Sequence, residues 1–79
     1  MEKFKNLCGG SNILHYKMGD DYIKINFEHT DDSRYCNYEY TYESAGKDNV
    51  ERMKELASRG KGLDCFIIKN VRKKYSKRW

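Results

Sequence analysis

The sequence predicts a small α+β domain, in which a three-stranded antiparallel β-meander is followed by one or two C-terminal helices packed on one face. Three observations support this fold class. The chain has 79 residues, enough for a single hydrophobic core. Apolar and polar residues alternate over several segments before residue 43, the period of two that is typical of strands. After residue 48 the apolar residues recur every three or four positions, which is typical of a helix.

The first part of the chain predicts a lead-in and two strands. We interpret residues 1–11 as a flexible lead-in, because two glycines and a serine end this stretch, and residues 12–79 as the single folded domain. A first strand is predicted over 12–18. Gly19 and Asp20 favour a turn, since both residue types tolerate unusual backbone angles. A second strand is predicted over residues 22–27, where isoleucine and phenylalanine alternate with polar residues.

The third predicted strand, residues 34–42, carries a row of aromatic side chains. Because side chains alternate along a strand, every second residue shares a face. We interpret the row as core packing beneath the helix, and base stacking is the alternative. Tyr22 and Tyr35 lie on the opposite face of their strands and are the better stacking candidates if that face is open. The row consists of Cys36, Tyr38, Tyr40 and Tyr42.

The period change predicts a helix over residues 48–59. Asp48 is its expected N-cap, with Glu51 completing a capping-box-like pair, and Gly60 is its expected C-cap. Apolar residues from 63 to 75 keep helical spacing and favour a second helix with Asp64 as its N-cap. A short strand around residues 67 and 68 is the alternative.

Positive charge is concentrated at the end of the chain. Residues 69–79 carry six Lys/Arg and no acid, a charge of +6. The other residues hold ten Lys/Arg against all twelve Asp/Glu, a charge of −2, so the two parts sum to the net +4. Such asymmetry is typical of an interaction surface.

This basic segment predicts a nucleic-acid site, with RNA or a single strand as the partner. Lysine and arginine gain affinity by neutralising phosphates, and aromatic rings among them stack on bases. A solvated tail is the alternative interpretation of the same residues. The predicted phosphate contacts are Lys69, Arg72, Lys73, Lys74, Lys77 and Arg78, extended by Arg59 and Lys61, and the predicted stacking residues are Tyr75 and Trp79.

Other classes of function find little support in the sequence. Three widely spaced cysteines with no C-x-x-C pair favour free thiols in a reducing compartment. His15 and His29 lack metal-ligand spacing, and no serine has the context of a catalytic nucleophile. No apolar run approaches the roughly 20 residues that span a bilayer. We therefore expect a cytoplasmic, non-catalytic binding domain without cofactor, metal or membrane contact.

Three short motifs follow one another along the chain: Tyr38-Glu39-Tyr40, Leu56-Ala57-Ser58-Arg59-Gly60 and Val71-Arg72-Lys73-Lys74-Tyr75. Together with the order of elements, they resemble the KTSC domain, found alone in bacterial and phage proteins and at the C-terminus of some lysyl-tRNA synthetases. That family is marked by a central Tyr-x-Tyr and a later Ser-x-Gly, and the resemblance covers residues 11–77. The chain lacks the proline that usually precedes the family's helix. The resemblance implies RNA binding, which has been suggested for the family.

A protein–protein interaction module is the alternative function. An acidic loop at residues 31 and 32 and a basic C-terminal segment would give complementary patches for fast, specific association. A phage or mobile-element product that inhibits a host or defence complex fits this description. Homodimerisation through an unprotected strand edge is a further expectation.

Overall fold

The structure is a computed structural model, and it describes residues 1–7, 12–30, 32 and 34–79. Its elements include five strands and three α-helices, the last of which continues directly into a π-helical turn. In chain order they are β1 (Glu2–Lys3), β2 (Ile13–Met18), β3 (Tyr22–Phe27), β4 (Asn37–Thr41), α1 (Tyr42–Ala45), α2 (Lys47–Arg59), α3 (Leu63–Phe66), the π-helical turn (Ile67–Val71) and β5 (Lys77–Arg78).

The strands form one antiparallel sheet in the order β1-β2-β3-β4-β5. The α+β class with an antiparallel sheet and helices is confirmed, but the prediction of three strands is wrong. The two additional strands are two residues long and show no alternation of their own. They are strands because their backbones hydrogen-bond to the free edges of β2 and β4.

The N-terminal residues belong to the fold as well. β1 pairs with β2, and Phe4 is 2% exposed within the core. The Leu7 N–H donates to the Gly60 carbonyl at 2.7 Å, which ties this segment to the end of α2. Residues 2–7 are thus anchored rather than part of a flexible lead-in, and residues 8–11 of the predicted lead-in lie outside the described part of the chain.

The third strand is shorter than predicted because a helix begins at Tyr42. The Thr41 hydroxyl accepts a hydrogen bond from the Ser44 N–H, and the Ser44 hydroxyl accepts one from the Thr41 N–H, each at 3.0 Å. This reciprocal pair is a capping box, and it starts α1 directly after β4. The Tyr42 hydroxyl then donates to Glu51 Oε2 at 2.6 Å.

The predicted long helix is confirmed as α2, but its predicted N-cap is wrong. Gly46 precedes α2. Asp48 lies in the first turn of the helix, where its negative charge interacts favourably with the helix dipole. Glu51 binds the Tyr42 hydroxyl instead of closing a capping box. Gly60 ends α2 in the left-handed conformation with φ of 77°, as predicted for a C-cap glycine.

The second predicted helix covers only residues 63–71. It begins after Gly62, so the prediction that Asp64 is its N-cap is wrong. The Asp64 carboxylate instead accepts a hydrogen bond from the Asn12 backbone N–H at 3.0 Å, which joins α3 to the start of β2. After the π-helical turn the chain extends and returns to the sheet as β5.

The core lies between the helices and one face of the sheet. Tyr38 and Tyr40 on β4 are 8% and 1% exposed, which agrees with the core interpretation for these two members of the aromatic row. Cys36 and Tyr42, the other two members, lie outside β4 and are only half-buried. Fully burying a side chain of the size of Ile or Met stabilises a fold by about 1.5–3 kcal/mol. The side chains with almost no exposure are Ile13, Ile23, Ile25, Tyr40, Val50, Met53, Leu63 and Val71.

Candidate functional site

The ten residues predicted to bind nucleic acid lie in three separate regions. The first region is the helical side of the molecule, where Arg59, Lys61, Lys69 and Lys74 are all exposed. Arg59 forms an ion pair with Glu55 at 2.8 Å, so its charge is partly compensated. The Lys74 backbone N–H donates to the Val71 carbonyl at 2.9 Å and closes the end of the π-helical turn.

The second region is a groove between the helix-covered face of the sheet and the π-helical turn. Arg72, Lys73, Tyr75 and Arg78 of the predicted set line it. Tyr75 packs edge-on against Tyr38, with ring centroids 5.0 Å apart, so its ring is engaged within the fold.

Arg78 is held among aromatic rings on this side of the sheet. Its guanidinium lies 4.4 Å from the centroid of Tyr35 and 5.3 Å from that of Tyr75. A hydrogen bond with the Tyr38 side chain raises the pKa of Arg78 above its ordinary value. Tyr35 is therefore part of this packing rather than of an open stacking surface.

The third region is the opposite face of the sheet, which receives Lys77 and Trp79. Successive strand residues point to opposite faces, so these two residues are separated from Arg78 by the thickness of the sheet. The sheet register extends this face across all strands. We call it the open face, and its residues are Lys3, His15, Lys17, Tyr22, Lys24, Asn26, Asn37, Glu39, Thr41, Lys77 and Trp79.

An aromatic and cationic cluster lies on the open face. Trp79 is 45% exposed. The Lys24 Nζ lies 5.6 Å from the Trp79 ring centroid and 5.4 Å from that of Tyr22, and the Lys77 Nζ lies 5.5 Å from Trp79. These are cation–π distances. Lys24 thus joins the two rings into one surface.

A close contact with Gly19 fixes the ring of Tyr22. A Cβ atom at position 19 would lie 2.0 Å from Tyr22 Cε2, so the ring rests on backbone that only glycine leaves clear. The glycine of the β2–β3 turn therefore has a second role besides the turn itself, because it leaves space for this ring.

A ladder of polar side chains holds the backbone of Trp79. His15 Nδ1 and Asn26 Oδ1 are 3.2 Å apart, and Asn26 Nδ2 donates to Asn37 Oδ1 at 3.1 Å. Asn37 Nδ2 donates in turn to the Trp79 carbonyl at 3.3 Å. Two backbone hydrogen bonds of 2.9 and 3.0 Å also join Asn37 and Trp79. The exposed tryptophan is therefore anchored on an ordered edge.

Charge on the open face is mostly positive. Its four lysines face one carboxylate, Glu39, which gives +3 with His15 neutral. The Lys24–Glu39 pair is separated by 3.9 Å. On α2, by contrast, Arg52, Lys54 and Arg59 all form ion pairs with glutamates of the same helix. The open face therefore carries an excess of lysine, and Lys24 and Lys77 lie beside its aromatic rings.

The sequence prediction missed most of the open face. Lys3, Lys17 and Lys24 were not assigned to the site, although the polar half of the alternating pattern in β3 places Tyr22, Lys24 and Asn26 on one face. That alternation was the available signal. It could not show that Lys77 and Trp79 join the same face, because this depends on how β5 pairs with β4.

Two further properties and the comparisons bear on this site. Within the described ranges, no group of three or more His, Cys, Asp or Glu side chains could hold a metal ion. Across the same residues, no helix has the length and apolar character needed to cross a membrane. No family model, no curated protein and no solved structure matches the chain.

Proposed function

We propose that this protein binds single-stranded nucleic acid on the open face of its sheet. The observation that carries the proposal is the cluster in which Lys24 lies between the rings of Tyr22 and the exposed Trp79. Around this cluster the face has a charge of +3. Rings and cations on one uncovered surface are the two components that single-strand binding requires.

Each component has a separate energetic role. A base stacked on an aromatic side chain contributes about 1–3 kcal/mol, whatever the base. Lysines beside the rings neutralise phosphates and release counterions, so affinity falls as salt rises. Lys17, Lys24 and Lys77 lie in one row across β2, β3 and β5, with Glu39 between the last two. A strand crossing this row would meet phosphate contacts on both sides of the rings.

An unpaired strand suits this surface better than a duplex. The bases of a duplex are already stacked on each other, so their faces cannot reach Tyr22 or Trp79. The side-chain amides that could read base edges, Asn26 and Asn37, already hydrogen-bond to each other and to Trp79. Binding with little sequence preference follows from this arrangement.

The proposal changes the site expected from sequence. Of the ten predicted residues, Lys77 and Trp79 are retained, and Tyr22, Lys24, Lys17 and Lys3 are added. The resemblance to the KTSC domain and the RNA binding it implies remain predictions. The same holds for the cytoplasmic location, the lack of catalysis and the protein-interaction alternative.

The test is a titration followed by the fluorescence of Trp79, which is the single tryptophan of the chain. Single-stranded DNA and RNA oligonucleotides of mixed sequence, and a duplex, are titrated between about 50 and 200 mM salt. We expect single strands to quench Trp79 through stacking, with affinity that falls as salt rises. The duplex should bind more weakly.

Two variants locate the site, and a third variant serves as the matched control. We expect Lys24→Gln and Tyr22→Ala each to weaken binding by about 1–2 kcal/mol, while Lys69→Gln, which removes the same charge from the helical side, changes little. Circular dichroism checks that each variant is folded. No binding by the unmodified protein at 50 mM salt, or equal losses for Lys24→Gln and Lys69→Gln, would falsify the proposal. A lack of binding would favour the protein-interaction alternative.

A further inference from the structure

The groove on the helix-covered side of the sheet has properties that the open face lacks. Its volume is about 590 Å³, within the range of about 300–1,000 Å³ that is usual for pockets that hold small molecules. Rings from β3 and β4 form one side of it, and the π-helical turn forms the other. A short π-helical segment is rare and is frequently found at functional sites.

The sheet side of the groove is a set of interlocked aromatic rings. Tyr38 contacts Phe27 on one side and Tyr75 on the other, with centroids 5.5 and 5.0 Å apart and ring planes nearly perpendicular. Ile67 is buried beneath the π-helical turn, whereas Ile68 is 62% exposed at the rim of the groove. An apolar ligand body would therefore meet rings on one side and isoleucine on the other.

The charged residues of the groove determine the sign of the ligand. Arg72, Lys73 and Arg78 line it together with one carboxylate, Asp64, so the lining has a charge of +2 with histidine neutral. Asp64 accepts the Asn12 backbone N–H at 3.0 Å, which directs this carboxylate to a structural contact. Arginine and lysine are the side chains that hold phosphate and carboxylate groups.

We propose that the groove is a second binding site, specific for a small organic anion with a flat apolar body and a phosphate or carboxylate group. The body lies between the rings of β3 and β4 and the isoleucines of the π-helical turn. The anionic group contacts basic side chains of the lining, among which Lys73 is exposed to solvent. This site is on the opposite side of the sheet from Trp79, and it does not depend on nucleic-acid binding.

The test uses two probes that share a naphthalene body and differ in the anionic group, 2-naphthyl phosphate and 2-naphthoate. Each is titrated to about 10 mM and followed by two-dimensional NMR of backbone amides. We expect at least one probe to shift the amides of Ile67, Ile68 and Arg72. Which probe binds more tightly identifies phosphate or carboxylate as the preferred group.

Two controls divide the phosphate probe into its parts. 2-Naphthol carries no anionic group at neutral pH, and inorganic phosphate lacks the apolar body, so each should bind at least several-fold more weakly than 2-naphthyl phosphate. If 2-naphthol binds as well as either probe, the anion part of the proposal is overturned. If inorganic phosphate binds equally well, the site takes a simple anion and the proposed ligand class is wrong.

Substitutions at exposed residues test whether the probes bind in the groove. Lys73→Gln should weaken probe binding about tenfold, since it removes a charge-assisted hydrogen bond. Ile68→Ser should weaken it several-fold through lost apolar contact. The matched control is Lys69→Gln, because Lys69 is exposed on the π-helical turn, four residues before Lys73, but does not line the groove. No shift of the groove amides up to 10 mM, or equal binding by Lys73→Gln and Lys69→Gln, overturns the proposal.

Discussion

The open face and the groove draw on the same basic C-terminal segment, yet they hold their aromatic rings in different ways. On the open face, Trp79 is 45% exposed, and the amines of Lys24 and Lys77 lie 5.6 and 5.5 Å from its ring centroid. In the groove, Tyr38 is 8% exposed and packs edge-on against other rings. An exposed ring can stack on any base from outside, whereas the interlocked rings form one side of an open groove. The two surfaces therefore differ more in how their aromatic rings are packed than in the types of residue that they contain.

The two surfaces also differ in how they hold their cations. Arg78 lies over the rings of Tyr35 and Tyr75 on the helix-covered side, with its planar group fixed by packing. Lys77, its neighbour in sequence, is exposed on the open face. The planar, rigid guanidinium suits directed contact with one anionic group, and the flexible lysine suits a phosphate chain of varying position.

The largest expected effect is on the core that both surfaces share. Ile25 is fully buried on β3, directly behind Lys24 and Asn26 of the open face. Ile25→Ala should lower the free energy of unfolding by about 2–5 kcal/mol, because it leaves a cavity. Urea denaturation measures the loss. At intermediate urea both binding activities should disappear together, and the persistence of one would mean that the two surfaces unfold independently.

The next largest effect is expected for a substitution of Gly19, which should change binding on the open face but not in the groove. Gly19→Ala pushes the Tyr22 ring away from Lys24, since the new Cβ would clash with it. Oligonucleotide affinity should fall by about 1–2 kcal/mol, the contribution of one stacked base, while probe binding in the groove is unchanged. In a double-mutant cycle, Gly19→Ala should have almost no effect on a Tyr22→Ala background. Additive losses would show that Gly19 acts by another route.

A smaller effect tests the polar ladder beneath Trp79. Asn37→Ala removes the side-chain bonds to Asn26 and to the Trp79 carbonyl. The free energy of unfolding should fall by about 0.5–1.5 kcal/mol per hydrogen bond lost. The emission of Trp79 should also shift to longer wavelength as the ring becomes more exposed. Unchanged emission and unchanged oligonucleotide affinity would mean that backbone pairing alone positions Trp79.

The smallest effect concerns alkaline pH and the groove side of the sheet. Burial, with smaller contributions from Tyr38 and Tyr75, raises the pKa of Tyr40 above its ordinary value of 10.0. The hydrogen bond to Glu51 raises the pKa of Tyr42 to about 12. A raised pKa favours the protonated form in the folded state, so this stabilisation is complete below pH 10 and is lost as pH rises further.

Thermal denaturation between pH 8 and 11 measures this dependence. The melting temperature of the unmodified protein should fall above pH 10, and Tyr40→Phe should show a smaller fall. The same variant compared at pH 8 controls for the loss of the hydroxyl itself. Equal slopes for the two proteins would show that ionisation of Tyr40 does not contribute.

Local patterns explain which parts of the fold were predictable. The alternation in residues 22–27 corresponds to β3 without a shift of either end, and helical spacing with Gly60 located α2 to within one residue. Both depend on residues a few positions apart. The cap at Thr41 is also local, but Thr41 and Ser44 lack the glutamate that marks the usual sequence signature, so the early end of β4 was missed.

The candidate sites were less predictable because they depend on distant pairing. The sequence prediction placed a basic site in residues 69–79 but treated this segment as one surface on a helix. Lys73 and Arg78 instead line the groove, and Lys77 and Trp79 join the open face. No local feature marks residues 77 and 78 as a strand, since they carry two cations and no apolar alternation.

Periodicity and composition predicted the α+β class, the length of α2 to within one residue, the burial of Tyr38 and Tyr40 and the concentration of positive charge near the C-terminus. These follow from side-chain periodicity and composition, which act over short distances along the chain. The tertiary structure decided that the segment after the helices returns to β4 as an edge strand. This pairing is stabilised by hydrogen bonds between residues far apart in the sequence, such as Asn37 and Trp79. Alternation along this strand then divides one basic segment between two faces of the sheet.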